Sequence, residues 1–294
     1  MKILKFFGWA LLSLFVLFLV ILIIMAVFDY TTDDMEVVAT ERTTQPISED
    51  CISLFCSYLQ KDNRTAVLEE LLSGVTNTDI ILLQNCEESN IDQLESLFGS
   101  HNGYFSFSKR SPISFSATGK VSFMDFSGLY TLTAFSPSAV RKLLLPTDTN
   151  WFNSLLSPTP SLQIVEYDKN GKHLFIINLD NEMNDQWESQ DINTSRLEYI
   201  KKSIIETLPQ DAYFVIAGNW QNILPGQAIT NVNTSGNEIP LDWTKTGWQW
   251  IYQPDEINGY GVLVSKNVQI KENNFMKTPS ENSPNAVSLL FCLE

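Results

Sequence analysis

Tyr213-Phe214-Val215-Ile216-Ala217-Gly218-Asn219-Trp220-Gln221-Asn222-Ile223-Leu224-Pro225-Gly226 decides the fold. Ala212 to Gly218 reads as a strand, a short apolar run of β-branched and aromatic residues closed by glycine. Polar residues follow at once, so this strand end delivers Asn219 and Gln221 to a loop.

The same pattern recurs on both sides of it. Cys51 to Tyr58 reads as a strand, and Asp79 to Gln84 as a strand buried on both faces. Gly128 to Phe135, Leu162 to Tyr167, His173 to Leu179, Gly259 to Ser265 and Ala286 to Leu293 are further strand candidates. Apolar residues at helical spacing predict helices over Ala66–Leu72, Ile91–Phe98 and Arg196–Leu208. Strands alternate with helices early and predominate later, which predicts a layered α/β sandwich.

The chain has 294 residues, 44% hydrophobic and 18% charged, enough for one globular domain and an appendage. The appendage comes first. No charged residue interrupts Phe6 to Phe28, and a bilayer core needs roughly 20 apolar residues in a helix. A cleaved leader has a shorter apolar core and a small-x-small site, and Ala26-Val27-Phe28-Asp29 offers none. The division expected is a cytoplasmic N-terminus (1–5), a transmembrane helix (6–28), an acidic linker (29–50) and the folded domain (51–294). Lys2 and Lys5 precede the helix while Asp29, Asp33, Asp34 and Glu36 follow it. Positive charge stays inside, so the expected location is a bacterial cytoplasmic membrane, crossed once, with the domain extracytoplasmic.

Setting aside Lys2 and Lys5 leaves 17 of the 19 basic residues against 34 acids, a net of −17. Duplex nucleic acid is normally gripped by a basic surface, so this balance disfavours it as a partner. Cys51, Cys56, Cys86 and Cys292 match no zinc spacing. Cys51 and Cys292 lie near the ends of the body and could tie the first strand to the last; buried thiols are the equal alternative. Trp243, Trp248, Trp250 and Tyr252 form an aromatic cluster, either a stacking platform or a packing feature.

Taken in order, the strand ends resemble the endonuclease/exonuclease/phosphatase superfamily, the deoxyribonuclease-like fold. The residues that carry the resemblance are Asp79 to Gln84, Tyr213 to Gly226, Gly259 to Val268, and Ser280-Glu281-Asn282-Ser283-Pro284. It is similar in particular to bacterial members with an N-terminal membrane helix. The resemblance implies a four-layered α/β-β/α sandwich and hydrolysis of a phosphoester by metal-activated water.

Residue by residue, the chemistry implied is missing. Leu59 stands where the first strand should end in Asn. Gln84 is kept, but Asn85 replaces the metal-binding Glu. Asn178-Leu179-Asp180 stands for Asn-x-His, putting an anion where a phosphate-stabilising imidazole belongs. Asn219 and Gln221 stand for the Asp-x-Asn pair that orients the water, and an amide accepts no proton. Glu281 keeps the acid of the last motif, while Asn282 cannot replace its His. The two histidines, His101 and His173, fall at no motif position.

Two main readings follow, with a purely structural surface protein whose cleft is filled as a lesser third. The first is a membrane-tethered pseudoenzyme with no cofactor, its old cleft serving an unidentified ligand or envelope protein. The second is a divergent phosphodiesterase or phosphatase whose rebuilt metal site holds Mg²⁺ or Ca²⁺. Its ligand candidates are Asn85, Glu87 and Glu281, with Asp180 as a third carboxylate. The flanking charges generate a direct test of topology. Alkaline phosphatase, which folds only in an oxidising compartment, is expected to be active when fused after Asp50; an inactive fusion would mean the orientation is reversed.

Overall fold

Alternation along the central strands sorts apolar side chains into three layers, and those layers dictate the architecture. In the computed structural model, residues 2–31, 37–40, 42, 46–47, 50–59, 75, 77–115, 121–147, 159–169, 171–181, 191–209, 211–220, 231–232, 238–239, 248–252, 260–276 and 286–293 are described.

One sheet has seven strands. Its centre is β2 (Cys51–Tyr58) beside β3 (Ile80–Glu87), flanked by the long hairpin β4 (Asn102–Phe115) and β5 (Val121–Thr133). Edge strand β1 (Val37–Thr40) lies outside β4, and β14 (Val268–Met276) and β15 (Ala286–Leu293) complete the other side. The order is β1-β4-β5-β3-β2-β15-β14, with only β2 and β3 parallel.

The second sheet has six strands: β6 (Ala139–Leu144), β7 (Ser161–Lys169), β8 (Lys172–Asp180), β9 (Tyr213–Asn219), β12 (Trp248–Tyr252) and β13 (Tyr260–Ser265). The order is β12-β13-β9-β8-β7-β6, and β8 and β9 are its parallel pair. A two-residue pair, β10 (Asn231–Val232) and β11 (Glu238–Ile239), stands apart.

Along β3, Ile80 and Leu82 point between the sheets while Ile81 and Leu83 point outward. Along β9, Val215 and Ala217 point inward and Phe214 and Ile216 outward. Helix α2 (Ile91–Leu97) covers the outer face of the first sheet through Leu94, with Phe98 just beyond it. Helix α3 (Asp191–Tyr199) covers the second through Leu197. The result is helix, sheet, sheet, helix, the four-layered sandwich expected.

Several elements differ from the sequence reading. The third helix starts at Asp191, earlier than Arg196, with Ile192 buried in its first turn. It then passes through a π-turn (Ile200–Ile204) and a 3₁₀ turn (Ile205–Thr207) in place of a continuous helix to Leu208. Within residues 29–50, read as an acidic linker, Val37–Thr40 pairs with β4 and Ile47 is buried in the inner core. The Arg42 side chain donates to the carbonyls of Gly99 and Glu95, and its backbone N–H reaches Asn102. That segment therefore belongs to the domain. The helix expected over Ala66–Leu72 lies outside the described residues.

Ahead of the domain, α1 (Lys2–Thr31) is one continuous helix. Phe7–Ile24 is long and apolar enough to cross a membrane and buries nothing against the domain. Phe7, Trp9, Leu11 and Leu14 are exposed, a pattern that water disfavours and lipid satisfies.

Cys51 and Cys292 form a disulfide between directly paired residues of β2 and β15. Cys56 and Cys86 are buried thiols outside it. The bond closes a sequence separation of 241 residues, and a crosslink of this kind contributes about 2–4 kcal/mol. Reduction without denaturant is expected to lower the melting temperature by roughly 5–15 °C, read by circular dichroism with and without a phosphine reductant; an unchanged temperature would mean that the bond contributes little.

Candidate functional site

The inward row of each central strand turns polar at the same end of the sandwich. On β3 the row Ile80, Leu82 ends in Gln84; on β8 the row Leu174, Ile176 ends in Asn178 and Asp180. On β9 it ends in Asn219, and antiparallel β13 begins there with Tyr260. Register holds them level: Tyr58 lies opposite Gln84, Asp180 opposite Asn219, and Asn219 opposite Tyr260.

Buried polar groups need partners, and these find one another across the gap between the sheets. The Gln84 amide donates to the Asn178 side-chain oxygen. The Tyr260 hydroxyl donates to the Gln84 carbonyl oxygen and lies 3.5 Å from the Cys56 sulfur. The Asn178 amide in turn reaches the Leu83 carbonyl at 3.3 Å and Thr131 Oγ1 at 3.5 Å. This is the floor of the site, and it is sealed. Burial pushes the Cys56 thiol up to about 12, against smaller opposing effects from its bonds to Tyr260 and Gln84. Burial likewise pushes the Tyr260 phenol well up, reinforced by Cys56 and Asp180. Neither group ionises near neutral pH.

Above the floor sit the motif positions. Asp180, 3% exposed, accepts a hydrogen bond from the Asn219 amide at 3.2 Å, and Asn219 is itself buried. Their approach depends on Gly218, whose φ is +144°; a Cβ there would lie 2.0 Å from the Leu179 carbonyl oxygen. Only glycine fits that crossing. Trp220 then turns outward, fully buried, bonded to the Gly261 carbonyl at 3.0 Å and packed edge-on against Trp250. Trp248 packs in the same way on Phe214, so this part of the aromatic cluster is packing; Trp243 lies outside the described residues.

Asn85 sits in a bulge of β3 with φ +52°, and its amide donates to the Leu59 carbonyl at 2.8 Å. A left-handed backbone suits Asn better than most side chains. Leu59 is buried in the outer layer beneath α2, while Tyr58 packs on the inner core. Alternation therefore makes Tyr58, not Leu59, the side chain that the end of β2 turns inward. Glu87 ends β3, its carboxylate accepting from the Ser89 hydroxyl at 3.3 Å. Gln221, Glu281 and Asn282 lie outside the described residues. The histidines stand apart from the site: His101 bonds the Thr78 carbonyl at 2.8 Å, and His173 pairs with Glu166 at 3.2 Å.

A hard divalent cation needs several oxygens, usually with two or more carboxylates among them. Among the described residues Asp180 is the one acid in this cluster, and the Asn85 amide donates to the Leu59 carbonyl. Among the described residues no three His, Cys, Asp or Glu side chains converge. Among the described residues, the donors do not make up the oxygen set that such a cation needs. Sequence reasoning located Gln84, Asn178, Asp180 and Asn219 but missed Tyr260 and Cys56. The signal for both was available: each continues the inward row of its strand.

No protein-family profile matches the chain, and no curated protein matches it. Solved structures do match, and at these identities the likeness establishes the fold. An endonuclease/exonuclease/phosphatase protein from Beutenbergia cavernae DSM 12333 is 11% identical, with 83% of this chain aligned to 72% of that one and a TM-score of 0.58. The human Nocturnin catalytic domain with bound sulfate anion is 13% identical over 88% and 98%, with a TM-score of 0.57. ANGEL2, a 2′,3′-cyclic phosphatase, is 11% identical over 86% and 98%, with a TM-score of 0.52. The chain has the endonuclease/exonuclease/phosphatase fold.

The sealed floor has a measurable signature. The Cys56 thiol has its ordinary value of 9.0 when unfolded and about 12 when folded. Above pH 9 the unfolded chain releases this proton first, so stability falls as pH rises through that window. Urea midpoints between pH 8 and pH 10 are expected to fall, and to fall less steeply in Cys56→Ala; identical slopes would remove the assignment.

Proposed function

We propose that this protein is a membrane-anchored, extracytoplasmic pseudoenzyme built on the endonuclease/exonuclease/phosphatase fold, with the former catalytic cleft used for binding. The anchor is α1, and the setting is a bacterial cytoplasmic membrane with the N-terminus inside. The observation that carries this reading is the cluster of strand-end amides. Among the described residues, Gln84, Asn85, Asn178 and Asn219 occupy the site with one carboxylate, Asp180, which accepts a hydrogen bond from Asn219.

The electrostatics support it. Phosphoester hydrolysis needs a cation or proton-carrying groups to neutralise developing charge. Here the neutral amides bond to one another or to backbone, and Asp180 would repel a phosphoryl oxygen. Loss of one general base or metal carboxylate typically costs about 10²–10⁴ in rate, and several are substituted here. What the cluster retains is a set of hydrogen-bonding side chains held at one end of the sandwich, suited to recognition. The occupant is a ligand or an envelope protein; the net charge disfavours nucleic acid.

The test is an assay of the full chain in detergent with Mg²⁺, Mn²⁺ or Ca²⁺ against bis-p-nitrophenyl phosphate, plasmid DNA and phosphoinositides. No turnover, and no metal-induced rise in melting temperature, is expected. Metal-dependent turnover abolished in Glu281→Ala would replace this reading with a hydrolase whose metal site is rebuilt.

A further inference from the structure

Between α1 and β2 the chain is pinned at Thr40 and Arg42. Thr40 pairs with Gly103 at the end of β1, and its hydroxyl donates to the Glu95 carboxylate of α2 at 2.5 Å. Arg42 is gripped through side chain and backbone alike. Its guanidinium donates to the Gly99 carbonyl and, at 3.2 Å, to the Glu95 carbonyl, with the Glu95 carboxylate 3.9 Å away. Its backbone N–H donates to the Asn102 side-chain oxygen at 2.5 Å. These partners come from α2 and from Gly99-Ser100-His101-Asn102, the stretch that leads into β4.

His101 lies between the two residues of that stretch that receive Arg42. It is 5% exposed, and Phe98 packs edge-on against its ring. Nε2 lies 2.8 Å from the Thr78 carbonyl and Nδ1 lies 3.2 Å from the Ser100 hydroxyl. A carbonyl only accepts, so Nε2 carries the hydrogen, and Nδ1 of the neutral ring accepts from Ser100. A second proton would bury a full charge beside the clamp and reverse the Ser100 bond.

Burial is the largest influence on this imidazole and lowers its pKa, and Arg42 lowers it too; the Thr78 carbonyl and Asp79 oppose them. Asp79 is itself engaged, accepting from the Ser53 N–H and hydroxyl. Glu95 is held by Thr40 and Arg42, and the Tyr130 phenol of β5, pushed far up by burial, stays neutral. Release of the clamp moves Arg42 away from the ring, so the released state takes up the His101 proton more readily. Docking is therefore fully favoured above pH 6.5, the ordinary value of the group, and weakens as pH falls below it.

We propose that Thr40–Arg42 is an acid-released latch, worked by His101, that sets how far the domain stands from α1. While latched, six residues lead from Thr31 to Val37, at most about 20 Å. With β1 released, the next buried residue among those described is Ile47. From Thr31 to Ile47 is sixteen residues, at most about 55 Å. The gain in reach above a bilayer rests on α1 being a membrane anchor; the latch itself does not.

The test is hydrogen–deuterium exchange on the full chain in detergent from pH 7.5 to pH 4, corrected for the intrinsic exchange rate at each pH. Protection over residues 37–42 is expected to fall several-fold with a midpoint below pH 6.5, while β8 and β9 keep theirs. In His101→Gln, whose neutral amide can still donate to the Thr78 carbonyl, that fall is expected to vanish. Constant protection of β1 in the wild type would overturn the latch. So would a midpoint below about pH 4.5, in the carboxylate range, or a simultaneous loss in β8 and β9. An equal fall in His101→Gln would remove His101 as the trigger. Wild-type exchange alone reads three of these outcomes, so a variant that does not fold leaves the proposal falsifiable. None of the readouts depends on α1 crossing a membrane.

Discussion

The hydrogen bonds that Gln84 makes across the seam, to Asn178 on one side and Tyr260 on the other, hold the two sheets in a single alignment. Apolar layers can slide by a residue at modest cost; a buried amide left without its partner costs about 1–3 kcal/mol. Because Tyr260 also lies opposite Asn219, and Asn219 opposite Asp180, this bonding sets the level of every strand end at the site. Gly218 permits the last close approach, between β9 and the Leu179 carbonyl. A catalytic site of this architecture would need the same alignment to place charged groups. Here the alignment holds amides at Gln84, Asn178 and Asn219.

Much of the fold was legible because buried strands announce themselves. β2, β3, β8, β9, β13 and β15 are runs of apolar side chains on both faces, and each appears within a few residues of its expected bounds. The elements that escaped notice are those whose sequence mixes polar with apolar residues. β14 carries Lys271, Glu272, Asn273 and Asn274, all exposed at the sheet edge, so it lacks the apolar run of a central strand. β1 is four residues long inside a polar segment, and its pairing with β4 is a tertiary event that no local pattern encodes. The far half of the β4–β5 hairpin, from Lys109 to Ser127, interrupts its apolar residues with charge and proline.

The site divides in the same way. Strand-end positions could be ordered along the chain, so Asp180 and Asn219 were placed before any geometry was known. The partnership between them, and the floor made by Cys56 and Tyr260, depend on which strands lie face to face, which is a property of topology. Leu59 illustrates the limit of counting along a strand: one residue of register decides between the inner and outer layers, and Tyr58 is the residue that faces in.

The crosslink between Cys51 and Cys292 has a mechanical consequence. It joins the first residue of β2 to β15, the last strand of the same sheet. Tension applied between α1 and Cys292 would travel through one covalent bridge and bypass the chain between the two cysteines, a sequence separation of 241. The weak link under such a pull would be β1, hydrogen-bonded to β4 on one flank only, together with the Arg42 clamp beside it. Peeling that strand away would lengthen the segment between α1 and β2 while the strand-end cluster stayed intact, so β1 would act as a mechanical fuse.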